Sequence, residues 1–594
     1  IMSKKLITIE KIKLIQNYLI QNKLDGFIQP RADSYLGEYV PKYDARLEWI
    51  SGFTGSAGVI LILRKQVILF VDSRYTIQAK NETKNTGIKV ILSAQQSLEK
   101  YILLNAKKFK EIGYDPWLHS YSYIKNILIL SIKYKVNFKP LKSNPIDIFW
   151  SNDRNISPNS DINVHPLKYA GISTNKKIKN LCMYLKKLNT EAYIINQPDS
   201  LAWLLNIRGM DLKHTPIILS RAIIFNNGYI YLFIDSSRIN KKIKNHFNNN
   251  IKIFPEKNII SEIIKISKKK NKILVDPDSV SYALIHFIKD KKNNLIETKC
   301  PIEKMKAIKN AIEIKGAFSA HLKDGVVLSK FLYWIHKSKI TNNSELLASN
   351  TIDNLRSKQR NFICTSFETI SGFSSNGAIV HYRVTKKSNK KFSNNNLFLC
   401  DSGGQYLEGT TDVTRTVAIG KPTKNMKNHF TIVLKGHIAL ASAIFPYGTT
   451  GNDLDLLARL PLWKNNMNYG HGTGHGVGSC LSVHEGPHRI SKGSFIPLEP
   501  GMITSNEPGF YLTNKYGIRI ENLMLVKKNK NMLAFETLTL APIDINLVNY
   551  NLLTKEEINW LNNYHNKVYK SISSKLDKQN KDWLKKVCAP YLKR

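Results

Sequence analysis

The 594-residue sequence predicts an α/β and α+β fold, with two related α/β domains followed by a third domain that carries the chemistry. Three observations point there. The length exceeds what a single hydrophobic core supports and suits about three domains. A strand–turn–helix–strand text occurs twice in the first half. In the last third, helix-sized patterns alternate with strands that have one polar face. An apolar share of 42% is that of a globular chain.

In chain order, residues 9–22 have a helical period and residues 58–70 a strand-like one. Residues 47–58, LEWISGFTGSAG, end in glycine and small residues suited to tight turns, a structural role. Arg46 and Arg74 beside them are candidate substrate contacts. LDGFIQPRADS at 24–34 is echoed by TEAYIINQPDS at 190–200, and LEWI with LFVDSR is echoed by LAWL with LFIDSS. Each copy reads as a strand, a proline turn with Asp-Ser, a tryptophan helix and a strand ending in Asp72 or Asp235, which predicts a duplicated domain. The expected domains are 1–160, 161–302 and 303–594, with the Asn- and Pro-bearing run 151–166 as the first linker. In the third, residues 302–336, 344–359 and 425–445 read as helices. Thr554 and Glu557 form a capping box before Ile558, Leu561 and Tyr564, which predicts a closing helix. The charged text beyond Lys570 has helical potential and no chemical motif.

His381, Asp401, Asp412, His471, His475, His484, Glu507 and Glu521 crowd into short glycine-rich stretches. Residues 397–401 form an apolar strand ending in an acid, Gly403 and Gly404 supply a turn, and 412–417 return, so one hairpin is expected. Asp401 and Asp412 then share a face, where two unpaired carboxylates repel unless a cation lies between them. Along 517–526, Ile518 and Ile520 point one way and Arg519 and Glu521 the other. Glu507 precedes the turn signal Pro508-Gly509, and His475 stands between glycines that permit close backbone approach. Four carboxylates and one imidazole are too many for one catalytic zinc and suit two divalent ions, which turn a shared water into a hydroxide nucleophile. The oxygen-rich set favours manganese, with cobalt, iron or zinc as substitutes. Singly, each residue is an ordinary turn former or core histidine. Together, buried carboxylates without partners would each cost several kcal/mol and do not accumulate through packing alone.

Asp401, Asp412, His475, Glu507 and Glu521, set in GTTDVTRT, HGTGHGVGSCLSVHEG, EPG and GIRIEN, resemble the creatinase/methionine-aminopeptidase (pita-bread) superfamily, most closely the long aminopeptidases P. The resemblance extends to ISGFTGSAG, AWLLNIRG and the terminal TLAPIDINLVNYNLLTKEEINWLNNYH. It implies two creatinase-like N-terminal α/β domains, a C-terminal pita-bread catalytic domain, and those five residues as ligands of two metal ions. It implies that His381 and His484 are catalytic and substrate-binding beside the scissile bond and that His471 lines the pocket. Glu507 can accept the proton of the attacking water, Arg519 can orient a bridging carboxylate, and Tyr511 is a further pocket candidate. The implied substrates are peptides with proline second. The implied assembly is a homodimer with Trp463 at or near its interface. Prolidase, acting on Xaa-Pro dipeptides, and a non-catalytic peptide-binding relative are the alternatives. The second, like metal-free creatinase, is disfavoured because all five ligand positions are filled.

The formal net charge of +43 raises nucleic-acid binding, but the lysines are spread along the chain with abundant Asn and Ile, and no RNP, zinc-finger or helix-turn-helix text accompanies them. No specific nucleic-acid partner is expected. No run of 18 apolar residues occurs, so neither a membrane span nor a secretory core is expected and a cytoplasmic protein is. The six cysteines lack CxxC spacing and are expected to stay reduced.

Overall fold

The computed structural model describes residues 6–150, 153–269, 271–288 and 291–592. They divide into two compact units, Ile1–Val164 with Ser173–Lys213 and Ile217–Ile302, and His165–Ile172 with His214–Pro216 and Glu303–Arg594.

The first unit contains the duplication. Its first six-stranded sheet runs Ile88–Leu92, Val67–Val71, Val59–Leu63, Gly26–Pro30, Glu111–Tyr114, Asn137–Pro140. The second runs Ile251–Phe254, Ile230–Phe233, Arg221–Phe225, Ala192–Ile195, Ile273–Val275, Leu295–Glu297. Position by position, the strand senses agree: the innermost hairpins are antiparallel and the outer additions parallel. The tryptophans that mark the echo sit on matching helices, Trp49 on Arg46–Ser51 and Trp203 on Pro198–Leu205, and both are buried. The opening helix Thr8–Gln21 buries Ile12, Ile15 and Leu19, the apolar stripe of its 3.6-residue period. The 58–70 stretch is two strands, Val59–Leu63 and Val67–Val71, joined by a tight turn. The first two residues of the 151–166 linker lie outside the described residues, and the rest holds one regular element, the two-residue strand Asn163–Val164.

The second unit starts with helices. The run expected over 302–336 is two helices, Pro301–Ala307 and Ala311–Lys337, because Asn310 caps the second, with its side chain on the Ile312 and Glu313 amides and Glu313 reaching back. A capping box is a strong local start signal that overrides the continuing apolar period. The helices Glu345–Ser357, Lys424–Ala441 and Lys555–Ile572 lie where the periodicity puts them, the last with the Thr554–Glu557 box formed. The text beyond Lys570 contributes the helix Lys578–Val587. The long helix Ala311–Lys337 packs Val327, Leu328 and Phe331 against Phe398 and Cys400 of the strand Asn396–Ser402. The opposite face carries the buried Leu397 and Leu399 and, at its end, Asp401, where the candidate site begins. All six cysteines are free.

Candidate metal centre

The centre begins with the antiparallel pairing of Asn396–Ser402 and Val413–Ile419, in which Asp401 stands opposite Thr414. Asp412 is two residues before Thr414, so it shares a face with Asp401. The connection departs from the single hairpin expected. Gly404–Tyr406 and Gly409–Thr410 form a small hairpin of their own, paired with Phe362–Thr365 in another sheet. Gly403 permits the departure, since a Cβ there would lie 2.0 Å from the Thr411 carbonyl oxygen.

The strand expected over 517–526 is also divided. Tyr516–Arg519 pairs with Gly509–Leu512, whereas Asn522–Asn529 belongs to a six-stranded sheet. Glu521 falls in the break, and its amide donates to the Thr414 carbonyl at 3.2 Å. The alternation survives but both faces are buried, Ile518 and Ile520 in the apolar core and Arg519 and Glu521 in the site. His475 sits at the centre of Gly474–Gly476. A Cβ on Gly474 would meet the Ser505 carbonyl oxygen at 2.1 Å and one on Gly476 the Glu485 carbonyl oxygen at 2.3 Å, so only glycines let these strands close around the histidine. Glu507 follows the strand Ile503–Asn506, its amide on the Thr473 carbonyl at 2.8 Å.

These elements bring the acids and histidines together. Ligand atoms of Asp401, Asp412 and Glu521 lie within 4.8 Å of one another, as do those of His475, Glu507 and Glu521, and those of Asp412, His475 and His484. Burial raises the pKa of Asp401, Asp412 and Glu507, and the charges of neighbouring carboxylates add to it for Asp401 and Glu507. Glu521 is held well above the usual range by burial and then by the same three acids. His475 is pushed down to about 4 by burial, so it is neutral at pH 7. Its Nδ1 lies 3.0 Å from the Gly476 carbonyl, which can only accept, so Nδ1 carries the proton. The lone pair of Nε2 then faces Asp412 Oδ2 at 3.4 Å and Glu507 Oε1 at 3.5 Å. Acceptors face acceptors. Asp401 Oδ1 and Asp412 Oδ1 are buried and accept no hydrogen bond. This donor set fits cations, which would meet the orphaned oxygens and the Nε2 lone pair together.

Arg519, buried, organises one wall. Its Nη2 donates to Asp401 Oδ2 at 2.8 Å and to the Val380 carbonyl at 3.4 Å, its Nη1 to the Tyr511 hydroxyl at 2.7 Å, and its Nε to Thr414 Oγ1 at 3.1 Å. His471 Nδ1 donates to the Gly472 carbonyl at 2.8 Å, so its Nε2 accepts from the Tyr511 hydroxyl at 2.7 Å. Burial pushes Tyr511 up to about 12, which keeps that hydroxyl protonated. Donation therefore runs from Arg519 through Tyr511 to His471. The rings of His484 and His475 meet edge to face, 4.4 Å between centroids. His381 lies between Val380, tied to Arg519, and the buried Tyr382.

Thr414 was absent from the expected set. Its hydroxyl donates to Glu521 Oε2 at 2.7 Å and accepts from Arg519, joining two chain-distant groups. Its signal was the two-residue parity with Asp412. Arg46 and Arg74 serve structure: Arg46 pairs with Asp147 and Asp44, and Arg74 with Asp72. A cavity of about 950 Å3, lined by Ile335, Ile419, Asp544 and Trp583 among others, includes none of the candidate ligands.

Known proteins resemble the chain over nearly its whole length. The profile of metallopeptidase family M24 matches residues 318–528 and that of its C-terminal region 531–591. The creatinase/prolidase N-terminal domain matches twice, at 11–142 and 153–313. The probable Xaa-Pro aminopeptidase P of Talaromyces marneffei is 36% identical, over 98% of this chain and 92% of its own. The chain belongs to the Xaa-Pro aminopeptidase P family. A probable Xaa-Pro aminopeptidase P of Paracoccidioides brasiliensis is 34% identical over 98% of this chain and 99% of its own. The crystal structure of the X-prolyl aminopeptidase of Caenorhabditis elegans, described as a cytosolic enzyme with a di-nuclear active site, matches with a TM-score of 0.94 at 33% identity, covering 99% of this chain and 100% of that one. The prolidase of Thermococcus sibiricus shares the fold over 63% of this chain, at a TM-score of 0.50 and 24% identity. As a member of the Xaa-Pro aminopeptidase P family, the chain has two creatinase-type N-terminal domains and a pita-bread domain.

Proposed function

We propose that the chain is a dinuclear metallo-aminopeptidase that releases the N-terminal residue from peptides with proline in the second position. The observation that carries this is the convergence of four carboxylates, three buried and Glu507 half-buried, around a neutral His475 whose Nε2 lone pair faces two of them. Asp401, Asp412, His475, Glu507 and Glu521 would hold the two ions; Asp412, His475 and Glu521 each belong to two of the clusters, and of these three only the carboxylates have a second ligand oxygen to share. Oxygen-rich ligation with one imidazole favours manganese, with cobalt, iron or zinc as substitutes. When bound, such ions supply Lewis acidity and a water nucleophile usable near neutral pH.

The residues do the rest. Glu507 accepts the proton of the attacking water, a role that suits a carboxylate whose affinity for protons burial has raised. His381 and His484 orient the scissile peptide and deliver a proton to the departing proline nitrogen. Hydrolysis thus places OH on the carbonyl carbon and H on that nitrogen. Arg519 holds Asp401 in place, and Asp401 anchors the free amine of the substrate. His471 and Tyr511 line the proline pocket. An Xaa-Pro bond is a tertiary amide without N–H, so a pocket that demands no backbone donor suits it.

A homodimer is also proposed. On the helix Gly451–Trp463, Leu456, Leu460 and Trp463 recur at helical spacing and are exposed, with Trp463 at 48%. An apolar stripe of that kind is the usual core of a subunit contact. A cytosolic setting follows the description of the Caenorhabditis elegans relative, and no helix among the described residues is long and apolar enough to cross a membrane.

The test is turnover by purified, metal-analysed protein. Xaa-Pro-Yaa tripeptides should lose their first residue, Xaa-Ala-Yaa should scarcely react, and chelator should abolish activity that manganese restores. Faster cleavage of Xaa-Pro dipeptides than of matching tripeptides would identify a prolidase instead.

A further inference from the structure

We infer that Glu345 is a positioning residue that holds the segment bearing His381 in its working place. The inference rests on the role given to His381 above. Residues 379–391 form no helix and only an isolated bridge at Lys391, and Arg383, Thr385, Lys386 and Lys387 within them are exposed. Backbone pairing therefore does little to order this stretch, and side-chain bonds must do so.

Glu345 supplies them. It is the first residue of the helix Glu345–Ser357, its side chain is fully buried, and no lysine or arginine pairs with it among the described residues. Its Oε1 accepts from the Phe373 amide at 2.7 Å and from Asn376 Nδ2 at 2.9 Å. Its Oε2 accepts from the Tyr382 hydroxyl at 2.9 Å and from the Lys390 amide at 2.8 Å. One carboxylate thus gathers donors from 373, 376, 382 and 390, on both sides of His381. The Glu345 backbone adds a bond from its amide to the Lys390 carbonyl at 3.1 Å. On the other flank, the Val380 carbonyl accepts from Arg519 Nη2, which also holds Asp401.

His381 is therefore fixed between two tied neighbours, Val380 toward the acids and Tyr382 toward Glu345. The arrangement explains why the residue is an acid. Four donors need both oxygens of a carboxylate, whereas a carboxamide offers one oxygen and would set its NH2 against two of the same donors. Packing alone asks for neither the charge nor the second oxygen at a buried position without a cation.

The test is a double-mutant cycle in the metal-loaded, full-length enzyme. Glu345→Gln should lower kcat by roughly 10- to 100-fold, the scale expected when a reacting group loses its orientation, while metal content stays at the parent value. In a His381→Ala background the same substitution should change kcat by less than about twofold, because the group it positions is gone. Tyr382→Phe removes one of the four donors and should give a smaller loss, also absent when His381 is alanine; this variant carries the cycle if Glu345→Gln does not fold. An unchanged kcat in Glu345→Gln, or a loss that multiplies undiminished with that of His381→Ala, would overturn the inference and leave the proposed function standing. An unchanged kcat in His381→Ala would overturn the role given to His381, and this inference with it.

Discussion

Removing divalent ions should make the catalytic unit lose stability as pH rises. Asp401, Asp412, Glu507 and Glu521 all have raised pKa values, by burial first, with repulsion from neighbouring carboxylates adding for Asp401, Glu507 and Glu521. Above about pH 4 the unfolded chain has released these protons, whereas the folded, metal-free centre retains some of them. The folded state then binds more protons, so stability falls with rising pH until the folded carboxyls ionise. A carboxyl held two pH units above its usual value accounts for roughly 3 kcal/mol. Two such groups sharing protons give a drop on the order of 3 to 6 kcal/mol, or on the order of 10 °C in midpoint for a unit of this size. Bound ions neutralise the cluster and remove the effect. Asp33 in the N-terminal unit, pushed up to about 6 by burial, has the same sign, but it contributes equally with and without metal. The assay is calorimetry at pH 5, 6, 7 and 8, with manganese and with chelator, reading the gap between the two curves. That gap should widen with pH; a constant or narrowing gap would refute the electrostatic account of the centre.

Three further outcomes are expected. Asp412→Asn should lose metal and turnover together while the N-terminal unit stays folded, and a variant with two ions per chain and normal kcat would remove Asp412 from the ligands. His381→Ala and His484→Ala should lower kcat by roughly 10²- to 10⁴-fold with metal retained, whereas His475→Ala should lose metal; equal metal content in all three would show the roles to be exchanged. Since the ligand atoms of His484 reach those of Asp412 and His475, its metal content is the most informative of the three. Trp463→Glu should turn a sedimenting dimer into a monomer, and a parent protein that sediments as a monomer would end the dimer proposal.

Much of the centre was legible because it is written in local signals. Acids at strand ends, glycines around His475 and the Pro508-Gly509 turn are each set by a few neighbouring residues, and the duplicated domain shows through an echoed text. The two misreadings share one cause. The 403–411 connection reads as the turn of one hairpin and the 517–526 strand as continuous, yet each changes sheet partners midway, and a period of two is the same in either sheet. The break at Asn310 is the reverse case, a local cap that a longer apolar period conceals.

The sequence by itself determined which chemical groups are present and which of them share a strand face. Only the tertiary structure decided which groups meet. Asp401 and Arg519 are 118 positions apart, and their 2.8 Å contact exists because separate strands pack into one centre. The same holds for Thr414 under Glu521, and for Glu345 behind the His381 segment. Side-chain parity along a strand is a property of the local backbone, whereas convergence on one point depends on how strands far apart in the chain register once their apolar faces are buried.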